Sequence, residues 1–494
     1  MLMTTDALPT ALYRAAEVRA LDAAVIEKYG VPGIQLMLRA SRALFATLVN
    51  EWPDCRELQL FCGKGNNAGD AYLLAALARE RGFTVTLWQV GPPPAAGDAL
   101  QARQRAEAAG VGVQVWNGPR PLAGVIVDGL LGTGLTGAVR PAFAEAIAAI
   151  NSSGLPVLAV DIPSGLCADT GCALGTAVRA DVCLSFIGLK QGLFTADARD
   201  YCGKMLFSDL QAPEAVYREY PSQRQRLDFY REKAALPRRQ RIAHKGHYGH
   251  VVVVGGDRGM GGAAMLAVSA AARCGAGLVS CATREEHIAA LLSYRPEVMV
   301  QAVASATQLA PLLEKATALV VGPGLGQGEW GAKLLAQVLG HPCAKVLDAD
   351  ALNLIASGEL PPAAGDLIIT PHPGEAARLL QCSTAEIHRD RFAAAAALRE
   401  RYQAVVVLKG AGTIVADEKG LAVCDEGNPG MASGGMGDVL SGMLGALLAQ
   451  GLSASQAARL GVCAHARAAD IAAVQGERGL LASDVVEQLR TVLN

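Results

Sequence analysis

One unit recurs along this sequence and constrains its fold more than any other feature: a short apolar run, a glycine-rich loop, then a helical pattern. The run 58–62 meets Gly63-Lys64-Gly65 and a helix expected over 68–81. The run 250–254 meets Gly255-Gly256-Asp257 and a helix expected over 262–274. Runs at 84–90, 124–128, 156–161 and 181–186 extend the series in the first half. Runs at 278–282, 318–321, 345–347, 366–370 and 404–408 extend it in the second. Strands without polar alternation are buried on both faces, which calls for a parallel sheet covered by helices. The expected class is α/β, with two domains in series, the first a Rossmann-like three-layer sandwich. Glycine supplies 55 of the 494 residues, well above the ~7% average. The excess sits in the loops, where backbone can approach a ligand closely.

Length alone allows about three domains, but the pattern restarts only once. The expected boundaries are 1–215, a basic linker at 216–240, and 241–494. Residues 218–245 hold nine Lys or Arg against three Asp or Glu. Arg238, Arg239, Arg241 and Lys245 could alternatively steer an anionic ligand. Overall, 44 basic residues nearly balance 46 acidic ones. That excludes a strongly basic nucleic-acid binder and an acidic disordered chain. The 12 cysteines show no C-x-x-C pair, so metal and redox motifs of that spacing are unsupported. Asp6, Arg14 and Glu17 interrupt any signal-like start, and no apolar stretch is long enough for a bilayer. A cytoplasmic protein with reduced thiols and no membrane or nucleic-acid partner is expected. Helices expected at 12–28 and 35–50 could pair subunits in a homo-oligomer. A hairpin is expected over 413–416 and 421–424, and a long helix over 437–449.

Three polar clusters follow strands of the first half. They are Gly63-Lys64-Gly65-Asn66-Asn67-Ala68-Gly69-Asp70, then Asp128-Gly129-Leu130-Leu131-Gly132-Thr133-Gly134-Leu135-Thr136-Gly137-Ala138, then Asp161-Ile162-Pro163-Ser164-Gly165. In an open parallel sheet such loops converge on one crevice. The first is not the redox dinucleotide fingerprint. Its spacing is G-x-G-x-x-x-G, and the next strand ends in Gly-Pro-Pro-Pro with no acid to hold a ribose.

These three loops, in this order, resemble the NAD(P)H-hydrate epimerase domain. The resemblance implies that Asn66, Asn67, Ala68, Gly69, Asp70, Gly132, Thr133, Gly134, Leu135, Thr136, Gly137, Ala138 and Asp161 contact a hydrated nicotinamide cofactor. It also implies a potassium ion held by oxygens of Asn67, Asp128 and Ser164, donors that suit a hard cation. Asp128 is the expected proton-transfer residue, with Lys64 a weaker candidate. Ala68 and Ala71 stand where the family commonly has glycine and are expected to tighten the ligand space.

The second half carries Lys245-Gly246, Gly322-Pro323-Gly324-Leu325-Gly326, Asp348-Ala349-Asp350-Ala351-Leu352, Thr370-Pro371-His372-Pro373-Gly374-Glu375 and Lys409-Gly410-Ala411-Gly412-Thr413. Ser433-Gly434-Gly435-Met436-Gly437-Asp438 then enters the long helix. Backbone N–H groups over 434–437 would form an anion hole for a phosphoryl group. Asp438 sits where a base can reach a hydroxyl beside it. In order, these motifs resemble the ADP/ATP-dependent NAD(P)H-hydrate dehydratases, a ribokinase-like α/β fold. The resemblance implies that Lys409, Gly410, Ala411, Gly412, Thr413 and Gly437 bind ADP. It implies that Ala263, Gly324, Gly326, His372 and Asp438 line the substrate site, with Mg²⁺ on the phosphates. Ser433 keeps the hydroxyl of the threonine frequent there.

The whole chain therefore resembles the bifunctional NAD(P)H-hydrate repair enzymes, an isomerase fused to a lyase acting on NADHX and NADPHX. The acid and the anion hole alone serve a small-molecule kinase equally well. A first half that only binds nucleotide also stays open.

Overall fold

The computed structural model describes residues 8–358 and 365–494. The chain divides into two compact units, 1–225 and 226–494. Each is an α/β unit in which apolar, doubly buried strands make the sheet.

The first unit holds a seven-stranded parallel sheet. Its spatial order is Val113–Val115, Thr84–Gln89, Glu57–Cys62, Val125–Gly129, Val157–Val160, Val182–Phe186, Lys204–Ser208. The chain runs outward one way from Glu57–Cys62 and the other way from Val125–Gly129. These two neighbours therefore flank a topological switch point, where open sheets bind ligands. Helices Gly33–Glu51 and Asn66–Glu80 pack on the core with Leu36, Met37, Leu44, Tyr72 and Leu74 buried.

The strands expected from apolar runs are present within a residue or two of their boundaries. Several others were not anticipated, three of them instructive. Val113–Val115 is a half-exposed edge strand, too short and polar to read as one. Lys204–Ser208 begins on an exposed lysine. Ala11–Tyr13 overlaps the start of the stretch expected to be helical over 12–28; the helix is Ala15–Glu27. This strand pairs in parallel with Leu189–Lys190 and antiparallel with residues 224–225. Leu12 there is fully buried, so tertiary pairing overrides the helical pattern of its neighbours.

In the second unit the parallel strands run in the order Met299–Ala302, Leu278–Thr283, His250–Val254, Ala318–Val321, Ala344–Leu347, Leu367–Ile369, Val405–Leu408. The expected hairpin, Thr413–Asp417 and Gly420–Cys424, continues the sheet in antiparallel sense. The switch point here lies between His250–Val254 and Ala318–Val321. Helix Met436–Ala449 is buried almost all round, as its continuous apolar sequence requires. Its close approach to helix Gly261–Arg273 depends on Gly442, where a Cβ would meet the Ala267 carbonyl oxygen at 2.0 Å.

The stretch expected to be a basic linker is partly structured. Helix Glu214–Glu219 buries Val216, and helix Phe229–Lys233 buries Phe229 beside Leu227. These apolar anchors, diluted by charge in the sequence, attach each side to its own unit. Arg239 stacks on Tyr248 at 4.0 Å and donates to the Gly275 carbonyl, so that side chain is committed to the fold. No described helix is long and apolar enough to cross a membrane.

Candidate functional site

At the switch point of the first unit lies a cavity of about 590 Å³, walled by Lys64, Asn66, Asn67, Asp70, residues 132–136 and Asp161. The loops meet because Gly63 lacks a side chain: a Cβ there would lie 2.1 Å from the Leu130 carbonyl oxygen. Asp70 follows Asn66 by four residues and Asn67 by three, so it neighbours both on the helix surface. Asn67 Nδ2 donates to the Val160 carbonyl at 2.7 Å and the Leu131 carbonyl at 3.4 Å. It thus ties the first loop to the other two.

Asp128 lies behind that wall with no exposed surface. Its Oδ2 accepts from the Ser164 N–H at 2.7 Å. Its Oδ1 accepts from Ser164 Oγ at 2.6 Å and the Leu130 N–H at 3.2 Å. Ser164 Oγ also accepts from the Leu131 N–H at 2.8 Å. Burial pushes the Asp128 carboxyl up to about 6, against the lowering pull of the Ser164 and Leu130 hydrogen bonds. No lysine or arginine pairs with it among the described residues. Asn67, Asp128 and Ser164 are therefore brought together as oxygen carriers around a buried acid lacking a counter-charge, a set that fits a monovalent cation. No group of three or more His, Cys, Asp or Glu placed to hold a metal ion is found among the described residues.

Asp161 adopts a left-handed backbone with φ 67°, an uncommon conformation that aspartate tolerates better than most residues. Its Oδ1 accepts from the Phe186 N–H at 2.9 Å and forms an ion pair with Lys190. Lys190 is fully buried and also donates to Ser185 Oγ at 3.1 Å and the Phe186 carbonyl at 3.2 Å.

In the second unit, Lys409 reaches back across the strand ends. Its Nζ donates to Asp348 Oδ1 at 2.6 Å and lies 3.9 Å from Glu375 Oε2. Ser441 Oγ donates to Asp348 Oδ2 at 2.7 Å. Burial raises the Asp348 carboxyl, but the Lys409 charge and these hydrogen bonds outweigh it and hold it low. Gly437 stands directly over the pair: a Cβ there would be 3.2 Å from Lys409 Nζ. Gly435, at φ 91°, caps the helix start, and no side chain caps the first turn. Its N–H groups are open to an anion, with positive dipole and ammonium side by side. Asp438, on the same turn, is pushed up to about 7 by burial and the negative charge of Asp348. Arg391, fully inside, donates to the carbonyls of Leu408, Lys409 and Gly412, each at 3.3 Å. It holds the lysine–glycine loop from behind.

Residues 33–192 match the family described as YjeF-related protein N-terminus, and residues 251–491 match NAD(P)H-hydrate dehydratase. The chain is 48% identical over 489 residues to the bifunctional NAD(P)H-hydrate repair enzyme Nnr of Coxiella burnetii, covering 98% of this chain and 100% of that protein. It is 44% identical over 491 residues to the enzyme of that name from Escherichia coli K12, covering 99% and 95%. The chain belongs to the bifunctional NAD(P)H-hydrate repair enzymes. A solved ribokinase-like superfamily protein from Enterococcus faecalis covers 55% of this chain and 95% of its own, with TM-score 0.51 and 26% identity.

Within this repair-enzyme fold, some residues expected at the first unit's ligand are not on the cavity wall. Ala68 and Ala71 are fully buried and do not line the cavity. Ala71 packs on Gly129, where a Cβ would stand 2.7 Å from its own. Gly69 faces Met37 and Ala99. Gly137 and Ala138 also lie off the cavity wall, whereas Gly132, Thr133, Gly134, Leu135 and Thr136 are on it. Gly324 and Gly326 take positive φ, and the Gly326 N–H donates to Asp350 Oδ2 at 2.9 Å. The Gly324 loop abuts Ala263, 3.2 Å from the site of its missing Cβ. His372 caps helix Pro373–Leu380, its Nδ1 accepting from the Gly374 N–H at 3.0 Å. Ser433 Oγ donates to the Leu480 carbonyl at 3.1 Å.

Sequence reasoning missed Asp22, Lys190, Glu375 and Arg391. Lys190 left one legible signal, a lone charge inside an otherwise apolar stretch. Asp22 left none, since acids on amphipathic helices are commonplace.

Proposed function

We propose that the second unit dehydrates the S form of NAD(P)HX with ADP, giving NAD(P)H, AMP and phosphate, while the first interconverts the R and S forms. The carrying observation is Asp438 placed beside the Lys409 ammonium and an uncapped helix start. Hydroxide is a poor leaving group and phosphate a better one. Asp438 takes the proton of the C6 hydroxyl as that oxygen attacks the terminal phosphoryl of ADP. Lys409 and the N–H groups of the helix start offset the charge gathering on phosphate. The lone pair of the ring nitrogen then expels phosphate, and loss of a C5 proton restores the dihydropyridine. Magnesium would accompany the nucleotide's phosphate oxygens and neutralise part of their charge. Lys409, Gly410, Ala411, Gly412, Thr413 and Gly437 would hold the nucleotide, and Ala263, Gly324, Gly326 and His372 the hydrated ring.

In the first unit, potassium would be held by Asn67, Asp128 and Ser164, where it would fix the loops and balance the buried carboxylate. Asn66, Asp70, residues 132–136 and Asp161 would bind the substrate. Every cysteine is a free thiol, which supports work in a reducing cytoplasm.

The test is purified protein with mixed R and S hydrates, ADP and Mg²⁺, following the return of dihydronicotinamide absorbance. Complete conversion with AMP formed supports both units. Conversion that stops when the S form is consumed removes the epimerase. A stable phosphorylated product would instead make the second unit a small-molecule kinase.

A further inference from the structure

We propose that Asp70 is the proton donor of the first unit's cavity, and that Asp22, on the leading helix, is the positioning residue that keeps the proton on it. This rests on the reading of that unit as an epimerase.

Asp22, Asp70 and Asp161 are among the carboxylates that face this cavity. One ammonium is buried among them, Lys190, and it is committed to Asp161. Asp70 is 8% exposed, and among the described residues no hydrogen bond or ion pair reaches its carboxyl. What remains of its surface opens onto the ligand space. Asp22 approaches from helix Ala15–Glu27, with its own carboxyl equally unbonded. Asp98 adds a fourth acid on the wall, and Arg19 a cation from the leading helix. Lys64 and Arg140 line the mouth but are exposed, so water screens them.

Burial, then the charges of Asp161 and Asp22, push the Asp70 carboxyl well above its ordinary range, with Lys190 pulling the other way. Burial and Asp161 raise Asp22 as well. Asp161 has its ammonium and peptide N–H; Asp70 has neither. Two acids in one site with unequal partners divide into a carboxylate and an undissociated acid.

Epimerisation at C6 of the hydrated ring uses such an acid directly. Asp70 gives its proton to the C6 oxygen, the C6–O bonding pair leaves with that oxygen as water, and the nitrogen lone pair forms C6=N1. Water then adds to the opposite face and its surplus proton returns to the carboxylate pair Asp70–Asp22. One proton leaves, one returns, and no oxidant or further reactant is consumed.

The experiment uses the full-length protein with mixed R and S NADHX, excess ADP and Mg²⁺. Absorbance returns in two phases: a fast one as the S form is dehydrated, then a slow one set by epimerisation of the R form. Asp70→Asn is expected to slow the second phase by about 10²–10⁴-fold and leave the first unchanged. Asp22→Asn removes a negative charge beside Asp70, so the acid ionises more readily. The pH at which the second phase declines on the alkaline side is then expected to move down, with the first phase unaltered. A second phase within threefold of the parent for Asp70→Asn overturns the assignment. So does an Asp22→Asn variant slowed by one factor at every pH, which is the mark of a merely structural role. If the parent protein shows no second phase, the epimerase reading fails instead.

Discussion

Asp128 in the first unit and Asp348 in the second both stand at the end of a parallel strand, and both are essentially buried. They are stabilised differently. Asp348 has an ammonium at 2.6 Å and a serine hydroxyl at 2.7 Å. Asp128 has a serine hydroxyl and two peptide N–H groups but no cation of the protein's own. The carboxyls differ accordingly: Asp348 is held below its ordinary range, and Asp128 rises to about 6. A buried acid with a built-in lysine keeps its charge, whereas one with only neutral donors holds its proton more readily. Asp438 is a third case, pushed up to about 7 by burial and the charge of Asp348.

Five further tests bear on that contrast, from the largest expected effect to the smallest. Asp438→Asn removes the base and is expected to cut dehydration by about 10²–10⁴-fold. Epimerisation should be unchanged; if both activities fall in a folded protein, the two sites are not independent. Lys409→Met strands Asp348 as an uncompensated buried charge and should destabilise the second unit by about 3–5 kcal/mol. Asp128→Asn, which keeps neutral partners, should cost only about 1–3 kcal/mol in the first. Denaturant melts of the two variants compare these directly, and equal losses would erase the distinction. The pH response has a definite sign. Asp438 is protonated below about 7, so dehydration should fall roughly tenfold per pH unit below that point and level off above it. A rate–pH profile at saturating ADP reads this, and a flat acid limb would remove Asp438 as base. Replacing potassium by a bulky organic cation should slow epimerisation several-fold and leave dehydration alone. Ala71→Gly should change the epimerase KM by less than twofold, since Ala71 faces Gly129 and not the cavity. Its cost is helix stability, about 0.5–1 kcal/mol.

Much of the architecture is legible in the residue order. Apolar runs such as His250–Val254 have no polar face to solvate, so they had to become interior parallel strands. Some of the loop glycines mark close approaches, as Gly63 against Leu130 and Gly437 over Lys409 do, whereas Gly65 and Gly434 stand in open space. Where the pattern is dilute, reading fails. Val113–Val115 and Met299–Ala302 are edge strands with one wet side, and their composition resembles a loop's. Ala11–Tyr13 became a strand only because two distant segments offered it backbone partners.

The sites divide the same way. The nearness of Asp438 to Lys409 is legible because both sit beside short, glycine-rich loops at strand and helix ends. Ala68, Ala71 and Gly69 look identical to ligand residues in the sequence, yet the helix turns them toward the sheet and neighbouring helices. Local chemistry therefore determined the strands, the glycine-rich loops and the types of acid present. Tertiary structure alone decided which acid meets which cation, because pairs such as Asp161 with Lys190 and Asp348 with Lys409 join separate strand ends. Burial, a property of the whole packed unit, then sets whether each acid holds its proton.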